Sequence, residues 1–188
     1  MIDHAIKFAS SAHKGTYRKG SKQPYIFHPL EVLSLVSMMS DDEEILTAAV
    51  LHDTVEDTQV TIEDIKNEFG DRVAQLVSCE SEDKRGQVNK SDTWVDRKRE
   101  TIERIKTIDD LGSKMICLAD KVSNLRSMHL LKLQEGDNLW NNFNMKDPKM
   151  HYWYYSELAK ALSDLKEYSV YQELLFLIDT IFKTYIKE

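Results

Sequence analysis

Apolar residues recur every three or four positions along almost the whole chain, and no long stretch alternates apolar with polar, so the pattern predicts helices and no sheet. Ala5, Phe8, Ala9 and Ala12 mark a first helix, expected to stop near Gly15. The Gly- and Lys-rich stretch up to Phe27 reads as a loop. His28 and Pro29 then open a helix through Met39, proline being tolerated in a first turn because the N–H it lacks had no helical partner there. Asp41 or Asp42 can cap the next helix, which runs through Ala48, Ala49 and Val50 to His52. Thr61 and Asp64 have the spacing of a capping box ahead of a helix ending at Gly70, and Asp71 can start another through Val77. Further helices are predicted over 93–107, 113–131, 148 to about 168 and 170–186, with a polar stretch at 81–91. The expectation is an all-α bundle of roughly nine or ten helices forming a single domain over 1–188, without internal repeats.

Composition narrows the partners. A chain of 188 residues that is 41% hydrophobic can bury one good core and is short for two. Its formal charge of −7 argues against a broad nucleic-acid surface, which needs a basic face to neutralise phosphates. An anionic ligand must then meet a local positive patch. Lys14, Arg18, Lys19 and Lys22 provide one, in nine residues without Asp or Glu. A solvated loop would also explain this run, but its place just ahead of His28 favours an anion site. The two cysteines, Cys79 and Cys117, form no CxxC pair, which fits a reducing cytoplasm, and Cys117 in an apolar run reads as a buried, inert thiol. No signal-like segment follows Met1 and no apolar run is long enough to span a bilayer. The expected protein is soluble and cytoplasmic, with no nucleic-acid or membrane partner; assembly into a homo-oligomer is left open.

Chemistry concentrates at His52 and Asp53, with His28 and Asp120 on either side in the chain. Two imidazoles and two carboxylates could close around one divalent cation. Adjacent helical side chains point about 100° apart, so His52 and Asp53 can reach one ion only near a helix end or where helices converge. Structural zinc sites favour close Cys and His pairs, which are absent here. An oxygen-rich set of two His and two Asp suits a harder, six-coordinate ion such as Mn²⁺, leaving about two positions for water and substrate. Taken singly, each residue has a plainer reading: His28 as a core or capping histidine, Asp53 and Asp120 as solvated helix-face carboxylates. Glu56 and Asp57 follow Asp53 by three and four residues, on the next turn if the helix continues.

Three segments resemble, in order and spacing, the hydrolase domain of the RelA/SpoT alarmone enzymes. They are Arg-Lys-Gly-Ser-Lys-Gln-Pro-Tyr-Ile-Phe-His-Pro at 18–29, Leu-His-Asp-Thr-Val-Glu-Asp-Thr at 51–58 and Leu-Ala-Asp-Lys-Val-Ser-Asn-Leu-Arg-Ser at 118–127. The chain looks like a small alarmone hydrolase of the HD-domain superfamily, with specific motifs over about 9–127 and a looser likeness to about 162. The resemblance implies an HD-type helical bundle that binds Mn²⁺ through His28, His52, Asp53 and Asp120. It assigns Glu56 and Asp57 to orienting and deprotonating the attacking water. Arg18 would stack on or clasp a guanine base and Lys19 would lie near phosphate, as a planar guanidinium and a compact ammonium respectively allow. Asn124 and Ser127 match positions facing the nucleotide; they fall four and seven residues after Asp120, on one helix face. Lys84 resembles a basic position near the phosphates, and Tyr155 an aromatic that closes the pocket, although core packing explains Tyr155 equally well. His4, His13, His129 and His151 match no ligand position. Lys121 and Ser123 depart from the commonest residues of that motif without touching a ligand position.

The implied reaction is hydrolysis of the 3′-pyrophosphate of guanosine tetra- or pentaphosphate to GDP or GTP plus pyrophosphate. The full-length relatives continue into a synthetase domain and regulatory modules, and nothing of that size is present in 188 residues, so no reverse synthesis is expected. Adenosine alarmones, or the 2′-phosphate of NADPH, are alternative substrates for the same site. A slow nucleotide-binding sensor or antitoxin is the rival of another class; the Glu56 and Asp57 pair argues against it, because a pure binder needs no water-activating acid.

Overall fold

The computed structural model describes residues 1–80 and 93–186, which contain ten α-helices and two short 3-10 segments. Lys84 and the whole polar 81–91 stretch lie outside them. By proximity the chain divides into two compact units: Met1–Ser81 with Asp110–Asp120, and Glu82–Asp109 with Lys121–Glu188.

The first unit is organised around α3 (Glu43–Leu51), which packs against α1 (Ile2–Ala12), α2 (Phe27–Val36) and α6 (Asp71–Glu80). Thr47, Ala48, Ala49, Val50 and Leu51 are all fully buried, so this helix is enclosed on every side rather than along one stripe. Its start is fixed by Asp42, whose carboxylate accepts from the backbone N–H of Glu44 (2.9 Å) and Ile45 (3.3 Å), a cap worth about 1 kcal/mol. α5 (Ile62–Phe69) begins with the expected reciprocal box between Thr61 and Asp64 and ends at Gly70, whose φ of +93° is readily accessible only to glycine. The first half of α8 (Leu111–Glu135) also belongs here, with Ile116, Cys117, Leu118 and Ala119 fully buried.

One element escaped the sequence pattern. After Leu51 the α3 helix breaks, Asp53 takes φ −93° and ψ −6°, and a four-residue helix α4 (Thr54–Asp57) follows. The Thr54 hydroxyl donates to the Leu51 carbonyl (2.6 Å) and the Thr58 hydroxyl to the Thr54 carbonyl (2.6 Å), satisfying backbone acceptors at the break. Four residues are too few for periodicity to register.

In the second unit, α7 (Trp94–Thr107) and α10 (Ser169–Ile186) both pack on α9 (Pro148–Ala161). α9 opens with Pro148 and is capped by Asp147, whose side chain accepts from the Lys149 N–H at 2.8 Å. The predicted 148–168 helix stops early, at Ala161, and a 3-10 turn at Ser163–Leu165 precedes α10. Trp140, on the other 3-10 segment (Gly136–Asn142), gathers His151, Phe182 and Tyr185 within 6 Å between ring centroids. The Arg126 guanidinium grips both oxygens of Glu173, at 2.6 and 2.8 Å.

Candidate functional site

The break between α3 and α4 lies where α2 and α8 also deliver side chains, all within the first unit. His28, in the first turn of α2, His52, at the end of α3, and Asp120, on α8, each offer one ligand atom, and these atoms lie within 4.8 Å of one another. Asp53 Oδ2 stands 3.2 Å from Nε2 of both His28 and His52. Asp120 Oδ1 is 3.2 Å from His28 Nε2 and 3.9 Å from His52 Nε2. The helix end resolves the geometric objection to neighbouring ligands. Because the backbone leaves the α3 path at His52, the two adjacent side chains converge instead of diverging.

The His52 ring is oriented from behind. The Nδ1 of His52 bonds the Ala49 carbonyl at 2.8 Å, which makes Nδ1 the protonated nitrogen of a neutral ring and directs Nε2 to the cluster. That Nε2 is buried and lacks a hydrogen bond of good geometry, as expected of an atom whose lone pair is meant for an ion. Burial acts to lower the pKa of His52, but the Asp53 carboxylate beside it, helped by Asp120, overcomes this and lifts it to about 9. Asp53 is likewise disfavoured as a charge by burial, yet the two imidazoles hold its carboxyl well below the usual range. The donor set and its buried, oriented imidazoles fit a divalent cation.

A proton on His52 competes with the ion for the same nitrogen, so binding must release it. With a folded pKa of about 9 against an ordinary 6.5, the protonated ring stabilises the chelator-treated protein fully below pH 6.5, and that contribution is lost as pH rises through 9. Calorimetry of Mn²⁺ binding in buffers of different ionisation enthalpy should therefore show about one proton released per ion near neutral pH, fading as the pH passes about 9. Proton release that stays flat across this range would remove His52 from the cation's coordination.

Glu56 and Asp57 lie on α4, half-buried and exposed respectively, with the Asp57 N–H bonded to the Asp53 carbonyl at 2.9 Å. The basic segment folds as a tight excursion in which Tyr17 and Pro24 pair and the Arg18 N–H meets the Gln23 carbonyl at 2.9 Å. Arg18 is half-buried with its guanidinium 5.6 Å from the centroid of the Tyr25 ring, whereas Lys14, Lys19 and Lys22 are exposed. In the second unit, Asn124 and Ser127 are half-buried on α8, about one and two turns after Asp120. Tyr155 is buried on α9, with its ring 6.1 Å from that of Phe182 and 5.2 Å from that of Tyr154.

Two residues near the cluster were not singled out in the sequence. Tyr25 donates its hydroxyl to Asp53 Oδ2 at 2.6 Å. His13 is buried with its ring 4.8 Å from that of Tyr25, and its pKa is lowered by burial. Tyr25 lies three residues before His28, a spacing that could have marked it as a neighbour; nothing in the sequence distinguishes His13.

Residues 5–144 match the family model described as HD domain, a stretch that includes residues of both units. A guanosine-3′,5′-bis(diphosphate) 3′-pyrophosphohydrolase of Aquifex aeolicus is 34% identical over 131 residues, which is 70% of this chain and 18% of that protein. A zebrafish (Danio rerio) protein of the same enzyme name is 35% identical over 132 residues, covering 69% of each chain. A solved structure described as a metazoan ortholog of SpoT that hydrolyzes ppGpp superposes with a TM-score of 0.72 at 26% identity, over 98% of this chain and 95% of that one. The chain spans less than a fifth of the length of the bacterial relatives that it matches. Among the described residues, no helix is long and apolar enough to cross a membrane.

Proposed function

The chain belongs to the HD-domain family, in the branch of the RelA/SpoT-type hydrolase domains, and on that premise we propose that it removes the 3′-pyrophosphate of guanosine tetra- and pentaphosphate, giving GDP or GTP plus pyrophosphate. The proposal includes Mn²⁺ as cofactor, residues 1–188 acting as one HD-type hydrolase domain, and a cytoplasmic setting. One observation carries it: side chains from three separate segments, His28, the adjacent His52 and Asp53, and Asp120, meet in a mostly buried cluster in which His52 Nε2 has no hydrogen bond of good geometry. The names of the relatives supply the substrate class.

A divalent ion held by these four residues would acidify a water molecule and polarise a phosphoryl oxygen. Glu56 and Asp57, one helical turn after Asp53, then orient that water and accept its proton. Attack on the phosphorus of the 3′-ester forms the new P–O bond as the ribose 3′ oxygen departs with the electron pair of the broken one. Pyrophosphate therefore leaves intact. Arg18 holds the guanine base with its planar guanidinium and Lys19 meets phosphate. Asn124 and Ser127 contact the nucleotide, Lys84 supplies further positive charge to the phosphates, and Tyr155 closes the pocket.

The test is incubation of purified protein and Mn²⁺ with guanosine tetraphosphate, adenosine 3′-pyrophosphates and NADPH, products being followed by phosphorus NMR. Intact pyrophosphate from guanosine tetraphosphate supports the reading. Stepwise release of single phosphates would replace it with a phosphomonoesterase, and binding without turnover would indicate a sensor. Arg18→Ala is expected to lower kcat/KM by about 10- to 100-fold, within the 1–3 kcal/mol that base stacking contributes, while bound manganese stays constant. An unaltered kcat/KM would make the Lys14-to-Lys22 segment a solvated loop.

A further inference from the structure

An aspartate at the start of a short helix ordinarily turns its carboxylate back onto the N–H groups of the first turn. Asp53 precedes α4 in that position and makes no such bond. Its side chain faces the imidazoles of His28 and His52 instead, so the helix does not fix the carboxylate's angle. The Tyr25 hydroxyl does meet it, donating to Oδ2 at 2.6 Å, the same oxygen that lies 3.2 Å from both imidazoles.

Tyr25 is itself held from several directions. The His13 ring packs against it at 4.8 Å and a tilt of 30°, the His28 ring meets it edge-on at 5.8 Å, and the Arg18 guanidinium stands over it at 5.6 Å. His13 is 3% exposed and neither ring nitrogen has a hydrogen-bond partner, so it serves as a packing plate behind the Tyr25 ring, whose hydroxyl meets Asp53 and also feels the Asp57 carboxylate. A tyrosine wedged in this way has few rotamers to lose, which suits it to fixing another side chain.

We propose that Tyr25 is a positioning residue that aims the Asp53 carboxylate at the cation, with His13 as the support behind its ring. The inference rests on the reading of the cluster as a metal site but not on the identity of the nucleotide. Outer partners of metal ligands typically contribute about 10- to 100-fold in affinity, and the hydroxyl of Tyr25 is assigned that share.

Tyr25→Phe removes the hydroxyl and keeps the ring between His13 and Arg18. Mn²⁺ titration of the chelator-treated variant, with free ion read by electron paramagnetic resonance and no nucleotide present, should show affinity weakened by about 10- to 100-fold. Its melting temperature without metal should fall by no more than the few degrees that one lost hydrogen bond allows. The same substitution in an Asp53→Ala background, its residual weak affinity read at high Mn²⁺, should cost less than about twofold more, because the carboxylate through which Tyr25 acts is gone. Unchanged affinity in the single variant, an equal loss in both backgrounds, or a large drop in metal-free stability would each overturn the proposal, the last two by assigning the hydroxyl to the fold. Because no nucleotide enters the measurement, a parent protein that binds manganese tightly but leaves guanosine tetraphosphate intact would refute the proposed reaction and leave this inference standing.

Discussion

Replacing Asp53 by alanine is expected to abolish tight manganese binding and to lower hydrolysis by about a thousandfold or more, beyond the 10- to 100-fold cost typical of outer partners. The carboxylate contacts both imidazoles at 3.2 Å, so its removal opens one corner of the coordination shell and also takes the counter-charge from His52. His52 then loses the largest influence that raises its pKa, keeping only Asp120 and the Ala49 carbonyl, while burial continues to act on it. His52→Ala should behave similarly for the complementary reason, since it deletes the Nε2 that stands unbonded in the cluster. Metal analysis after dialysis, together with turnover at saturating Mn²⁺, decides the matter: an Asp53→Ala protein with parental manganese content and rate would mean that the cluster is not the catalytic centre.

Glu56→Gln and Asp57→Asn are expected to leave manganese bound and to slow kcat by about 10²- to 10⁴-fold, the usual contribution of a positioned acid or base. Both residues lie on α4, just after Asp53, and the proposed reaction assigns them to the water rather than to the ion, so neither substitution should open the coordination shell. Asp57 is exposed and Glu56 half-buried, which places both where solvent water and substrate can reach them. Single-turnover kinetics alongside metal content separate the two roles. Loss of manganese in either variant would make that residue a ligand, and an unaffected kcat in both would leave the water without a base.

The all-helical architecture could be read from the sequence because it rests on local signals. Asp42, Thr61 with Asp64, Gly70, Pro29 and Pro148 each act within a few residues of themselves, and each stands where its chemistry requires: as a cap, at a positive φ, or in a first turn. The four candidate ligands were named by resemblance of three motifs, and three of them, His28, His52 and Asp120, form a close cluster; the expectation that His52 and Asp53 needed a helix end agrees with the break after Leu51. The short α4 helix was not legible, since four residues make scarcely one turn. Nor was the early stop of α9 at Ala161, where the apolar spacing runs on without a glycine or proline to mark the end.

What the sequence alone determined was the element type, most of the boundaries and the identity of the candidate ligands, because caps, turns and motifs are properties of neighbouring residues. What only the tertiary structure decided was distance and surroundings. His28, Asp53 and Asp120 are far apart in the chain, and their approach depends on the packing of α2 against α3 and on where α8 runs in the first unit. The Asp120 share in raising the His52 pKa, the hydroxyl of Tyr25 on Asp53 and the burial of His13 follow from that packing. A side chain's electrostatic environment is set by the groups within a few ångströms of it, and for these residues those groups include ones delivered by other segments of the chain, such as Asp120 beside His52 and Tyr25 on Asp53.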